Sequence, residues 1–220
     1  MSDFAQTDQN RVRRRPTRGH YDQETIYGIV DAALICHVGF AHEGVPYVIP
    51  TLHARRGDEI LLHGSSASRL MNHAAAGHPL CITVTHVDGL VLARAVFNHS
   101  VNYRSAVLFG RGRLLADEAE KMAALRDFTE RLLPGRWDDV RLPTPTEMKA
   151  TSIVAVAIDS ASAKMRSGPP GDDEEDYSRP TWAGVLPLSV QYGPFQPDPR
   201  LAGNIPVPDY LRNLTAGDSP

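Results

Sequence analysis

A chain of 220 residues holds one domain with a sizeable core, or one domain with long tails. Hydrophobic content of 42%, charged content of 22% and a net charge of −3 describe an ordinary globular chain and weigh against a protein that coats nucleic acid. Two cysteines, Cys36 and Cys81, make neither a disulfide framework nor a zinc ribbon, and no apolar run reaches the roughly 18 residues of a membrane span. The expectation is a cytoplasmic protein with no nucleic-acid or membrane partner.

Residues 1–20 lack the apolar stretch of a secretory signal and carry Arg11, Arg13, Arg14, Arg15 and Arg18. They read as a solvated basic tail. A helix is expected from Asp22, whose carboxylate can cap free backbone N–H groups. Ile26, Ile29, Val30, Ala33 and Leu34 then share one helical face.

Over residues 34–63 the period changes to two. "LICHVGFA", "VPYVIPTLHA" and "EILLHG" read as strands separated by the turn compositions "HEG" and "RRGD". In the second of them Pro50 cannot donate to a ladder, so it marks an edge or a bulge. "SSASRLMNHAAAG" reads as a short serine-capped helix ended by Gly77. "PLCITVTHV" and "LVLARAVF" flank Asp88–Gly89, a strong hairpin signal. "YRSAVLFGRGRLL" is a long strand, and "DEAEKMAALRDFTERLL" is a helix with Asp117 and Glu120 at capping-box spacing. "SIVAVAID" is a last core strand running on toward Lys164 and Arg166. Residues 168–180, "GPPGDDEEDYSRP", read as an acidic linker, and residues 181–220 as an ordered "TWAGVLPL" followed by an extended proline-rich arm. Consecutive antiparallel strands with short turns favour a closed or nearly closed barrel over residues 21–167.

Four stretches carry chemistry. In "HGSSASR", His63 to Arg69, the hydroxyls of Ser65, Ser66 and Ser68 gather with a guanidinium at a helix start, which suits a phosphate. An ordinary serine-capped helix is at least as good a reading of that motif alone. In "NYRS", Asn102 to Ser105, Arg104 shares a strand face with Ala106 and Leu108. A guanidinium in those surroundings needs an anionic partner, either a carboxylate or a ligand. Lys164 and Arg166 put two positive charges on one strand face, which a solvated edge would also explain. Trp182, after the acidic stretch, reads first as core packing. The nine histidines show no metal-binding spacing, and there is no dinucleotide-binding or Walker glycine motif.

These segments, in this order and over roughly residues 13–188, resemble the pyridoxamine 5′-phosphate oxidase-related flavoproteins. The likeness is to the flavin-nucleotide-binding branch that includes the nitroimidazole-resistance proteins. The resemblance implies a mainly β fold with flanking helices, a six-stranded antiparallel split β-barrel, binding FMN at a homodimer interface. It points to Ser65, Ser66, Ser68 and Arg69 for the phosphate and to Val48, Ile49, Pro50 and Thr51 along the flavin ring. It also points to Asn102, Tyr103, Arg104 and Ser105 as contacts across the dimer. His63 and Tyr103 are the candidate catalytic side chains, and Lys164, Arg166 and Trp182 are neighbours of cofactor or substrate. The Arg-containing C-terminal segment of pyridoxamine 5′-phosphate oxidases proper has no counterpart here, so vitamin B6 oxidation is not expected. The implied activity is flavin-dependent two-electron transfer to a small acceptor, such as a nitro compound or a quinone. The rival readings are a split barrel that binds flavin or haem without turnover, and a degenerate site serving as an interaction platform.

Overall fold

The computed structural model describes residues 3–203 and 205–216, with side chains to residue 214. In chain order the elements are β1 (Gly19–His20), α1 (Gln23–Ala32), β2 (Ile35–His42), β3 (Val45–Leu52), β4 (Ala54–Arg56), β5 (Glu59–Ser65), α2 (Arg69–Ala75), β6 (Pro79–Leu92), β7 (Ser100–Leu114), α3 (Glu118–Leu132), α4 (Pro145–Ala150), β8 (Thr151–Ala157), β9 (Ser160–Arg166), β10 (Gly184–Pro187) and α5 (Asp209–Ala216). Every strand pairing is antiparallel. The sheet runs β3-β2-β6-β7-β8-β5-β4, with β9 joining β7 and β1, and β10 joining β6. It does not close, because β3 pairs with β2 alone and β4 with β5 alone. The fold is a split barrel, and its open edge is β3.

Local signals explain most of these elements. Asp22 caps α1 by accepting from the Thr25 N–H at 2.8 Å, and Ile26, Tyr27, Ile29 and Val30 turn inward. Leu34 falls beyond the helix and is exposed, because the strand period has already taken over. Glu43 and Gly44 both adopt positive φ, giving the tight two-residue turn between β2 and β3. Within β3, Tyr47 and Ile49 lie against the core while Val48 and Pro50 face outward. Pro50 is tolerated because the strand is an edge.

Five expectations need correction. Asp88–Gly89 is no hairpin: β6 runs straight through it, with a bulge between Val87 and Gly89. Glycine is required there because a Cβ would meet the Leu186 carbonyl of β10 at 3.0 Å. The chain reverses instead at residues 93–99. Lys164 and Arg166 belong to a separate strand, β9, and not to a continuation of β8. Residues 3–20 are docked and do not trail in solvent. Asn10 is buried and donates to the Ala161 carbonyl at 3.0 Å, β1 pairs with β9, and Phe4 lies against Tyr27. The acidic stretch is also tied down. The Asp172 side chain is wholly enclosed and accepts from the Arg94 and Ala95 backbone N–H groups and the Arg94 guanidinium. Trp182 lies on the surface, 70% exposed, with its ring over Gly184.

Where β7 changes partners, from β9 to β8, the backbones crowd. A Cβ on Gly110 would sit 1.8 Å from the Ala157 carbonyl oxygen, and one on Gly112 would sit 2.5 Å from that of Ala74. Two glycines therefore let one long strand serve both halves of the barrel.

Candidate functional site

The structure sorts the sequence-derived residues into three groups. The first joins the β5–α2 loop to the open β3 edge. Ser68 caps α2, accepting from the Met71 N–H, while Ser65 accepts from the Ala67 N–H at 3.2 Å. The Ser66 N–H donates to the Ala150 carbonyl at 3.0 Å, which fixes the loop against the end of α4. Ser65, Ser66 and Arg69 remain exposed. Among the described residues Arg69 has no carboxylate partner; its guanidinium lies over the Tyr47 ring at 4.5 Å, and Tyr47 stacks on Phe40 at 5.5 Å. A cation with no carboxylate partner among the described residues and the exposed Ser65 and Ser66 thus stand beside an edge strand whose outer residues, Val48 and Pro50, are uncovered. This arrangement suits a phosphate attached to a flat apolar ring.

The second group lies on β7 and β9. Tyr103 faces Arg166 in the register, and Ser105 faces Lys164 and donates from its hydroxyl to the Lys164 carbonyl at 3.1 Å. Arg166 donates to the Asn102 side-chain oxygen and to the carbonyls of Gly168 and Pro169. Arg104 is held on the other face by Asp88, with contacts at 2.9 and 3.1 Å, and this bonding raises its pKa. Of the two partners left open for Arg104, it has the carboxylate, so its charge is not waiting for a ligand. The bulge at Asp88 aims that carboxylate. We expect Arg104→Ala to cost no more than about 1 kcal/mol in denaturant unfolding, as for other half-exposed pairs, and to leave any bound cofactor in place.

The two groups are not neighbours within one protomer. In the register Pro50, His37, Thr83, Val107 and Ser162 follow one another across β3, β2, β6, β7 and β9. Four strand spacings of about 4.8 Å separate the outer two by roughly 19 Å along the sheet.

His63 forms the third group. It lies on the α3 side of β5 with its ring 4.5 Å from that of Phe128, in a cleft of about 430 Å³ shared with Leu125, Arg141, Pro143, Glu147, Met148 and Thr151. Among the described residues neither ring nitrogen has a hydrogen-bond partner, Nδ1 is buried, and burial lowers the pKa, so the imidazole is neutral near pH 7. Arg141 is already paired with Glu147, at 2.6 and 2.8 Å. Sequence reasoning missed this cleft because it missed α4, although Thr144 and Glu147 form the capping box that announces it.

Burial also lowers the pKa of His53, whose Nε2 lies 3.0 Å from the Val30 carbonyl. In the unfolded chain both imidazoles titrate near about 6.5. Below that pH the unfolded state binds more protons than the folded one, so stability is full above it and falls on acidification. Denaturant midpoints should drop between about pH 7 and pH 5; a flat profile would show these rings to be solvated. Burial pushes the Cys36 thiol up to about 12 and raises that of Cys81, which leaves no reactive thiolate. Among the described residues no metal-binding cluster occurs, and no helix is long and apolar enough to cross a membrane.

The pyridoxamine 5′-phosphate oxidase family model matches residues 22–165. Among solved structures, the flavocytochrome Anf3 from Azotobacter vinelandii is 43% identical with a TM-score of 0.89, over 94% of this chain and 96% of that one. The FAD and heme binding protein from Mycobacterium smegmatis is 37% identical with a TM-score of 0.86, over 90% and 97%. A protein assigned to 5-nitroimidazole antibiotic resistance in Bacteroides thetaiotaomicron is 23% identical with a TM-score of 0.55, over 66% and 85%, a likeness of fold alone. No curated protein matches the chain. With the match covering most of the barrel, and two relatives alike almost end to end, the chain belongs to the pyridoxamine 5′-phosphate oxidase-related split-barrel family.

Proposed function

We propose that this protein binds a flavin nucleotide and acts as a redox protein on a small acceptor. The observation that carries the reading is Arg69, a cation with no carboxylate partner among the described residues, set beside the exposed Ser65 and Ser66 and the uncovered β3 edge. Ser65, Ser66 and Arg69 would hold the phosphate, and Val48 to Thr51 would run along the ring. A bound flavin supplies the two-electron chemistry, and the chain supplies binding, orientation and exclusion of water. Relatives named for flavin binding support the reading.

The partner in this proposal is a second copy. The outer sheet face presents Val48, Pro50, Cys81, Thr83, Val107 and Phe109 in adjoining rows. A two-fold partner laid on it would bring one protomer's Tyr103 and Ser105 toward the other's β3, spanning the separation that one protomer cannot. The protein as purified should be dimeric in light scattering and show a flavin spectrum, with mass spectrometry naming FMN or FAD. A colourless protein whose melting temperature neither flavin raises would defeat the reading.

The His63 cleft favours a second cofactor, haem. Its size lies within the usual range for small-molecule sites. A neutral imidazole with no hydrogen-bond partner among the described residues, between Leu125, Pro143 and Met148, is the side chain that would hold a haem there. Both nearly full-length relatives bear names that join haem or a cytochrome to a flavin. A Soret band lost in His63→Ala, with flavin retained, is the expected result.

A further inference from the structure

α2 carries a second polar side chain close to the Ser65–Arg69 loop, and the flavin reading leaves it unused. His73 lies one helical turn beyond Arg69, so the two share a face of α2. Its buried ring packs on Phe40, with the ring centroids 4.8 Å apart. Phe40 stacks at 5.5 Å on Tyr47, its register partner across β2 and β3. The Tyr47 ring in turn carries the Arg69 guanidinium at 4.5 Å. Helix and strands thus form a closed circuit from Arg69 through Tyr47, Phe40 and His73 and back along α2. That circuit holds the guanidinium, which has no carboxylate partner among the described residues.

The surroundings of His73 suit an uncharged imidazole. Its ring meets that of His78 at 4.8 Å, and Nε2 lies 3.4 Å from the Pro79 carbonyl. His42, at the end of β2, is close enough to act on its charge. β7 brings Arg111 to the turn after α2, where it donates to the Gly77 carbonyl at 2.8 Å. Near its start β6 carries only Cys81, whose thiol burial keeps protonated. β8 has no ionisable residue, and on β5 Glu59 is paired with Arg113 while His63 faces α3. With Arg69 on its own helix, the groups around His73 are cations or become so in acid. Burial lowers its pKa, and His78 and His42 lower it further against the opposing bond to Pro79. A proton on His73 would set an imidazolium among like charges in a buried place. The ring would turn out to water, and Phe40, Tyr47 and Arg69 would lose its support.

We propose that His73 is a positioning residue for the flavin phosphate and makes binding at that site sensitive to acid. Uncharged, it completes the circuit that fixes Arg69; protonated, it opens the circuit and weakens the phosphate contact. The inference rests on the flavin reading and adds a regulation of the same site. The test is fluorescence titration of flavin-free protein with FMN from about pH 8 to about pH 5. Wild type is compared with His73→Phe, which keeps a ring against Phe40 and cannot take a proton. It is also compared with His78→Gln, a change at an exposed position.

Part of any fall in affinity belongs to FMN itself, whose phosphate loses a charge near about pH 6, and that part is common to all variants. Between about pH 7 and pH 5 wild type should lose at least about threefold more affinity than His73→Phe. In His78→Gln, with one repelling charge removed, the fall should begin at higher pH. If His73→Phe does not fold, His78→Gln decides alone. Parallel losses in wild type and His73→Phe, or an unmoved fall in His78→Gln, would overturn the inference and leave the flavin reading intact. No FMN binding to wild type at any pH would end the flavin reading and this inference with it.

Discussion

Gly110→Ala is expected to cost about 3 kcal/mol or more of stability, or to prevent soluble folding. The added methyl would have to occupy space 1.8 Å from the Ala157 carbonyl oxygen, and that atom is backbone in a strand end that cannot step aside. Moving it would pull β8 away from the β7 crossover that joins the two halves of the barrel. Gly28→Ala is the matched control. Gly28 is exposed in the middle of α1 with nothing within 4 Å of a new Cβ, so alanine should stabilise by about 0.5–1 kcal/mol. Urea unfolding of the two variants should move in opposite directions. Equal midpoints would mean that the strand crossover is looser than described.

Arg69→Ala is expected to weaken flavin binding about 10- to 100-fold, the range of one charge-assisted contact to phosphate. It should barely change stability, because the side chain is exposed and, among the described residues, its charged group is engaged only by the Tyr47 ring. Arg69→Lys should restore part of the affinity, since a point charge remains while the planar fork is lost. Arg104→Ala serves as the contrast: that guanidinium is spent on Asp88. A loss of flavin in the Arg104 variant equal to that in the Arg69 variant would reverse the roles assigned here.

What could be read from the chain depended on how local the deciding interactions were. Asp22 and Asp117 announce helix starts because a cap and its N–H lie three residues apart. The Glu43–Gly44 turn and the outward face of β3 follow from a few neighbouring residues as well. Asp88–Gly89 misleads because the reason for its glycine, β10, lies nearly a hundred residues further on. The arginine-rich beginning and the acidic stretch look solvated in isolation. Asn10 finds Ala161, and Asp172 finds Arg94, only once the barrel exists. For the site, the serine-rich loop and the edge strand were legible as motifs, but their junction through Arg69 and Tyr47 was not. Nor could the sequence show that Arg104 already had a partner on its own ribbon, or that His63 faces a cleft beneath α4.

The central claim is that the Ser65–Arg69 loop holds a flavin by its phosphate. Fluorescence titration of flavin-free protein with FMN and with riboflavin tests it most directly, since the two differ only in that group. FMN should bind at least about tenfold more tightly than riboflavin to the wild type, and the gap should shrink in Arg69→Ala. Equal affinity for the two in the wild type would contradict the account.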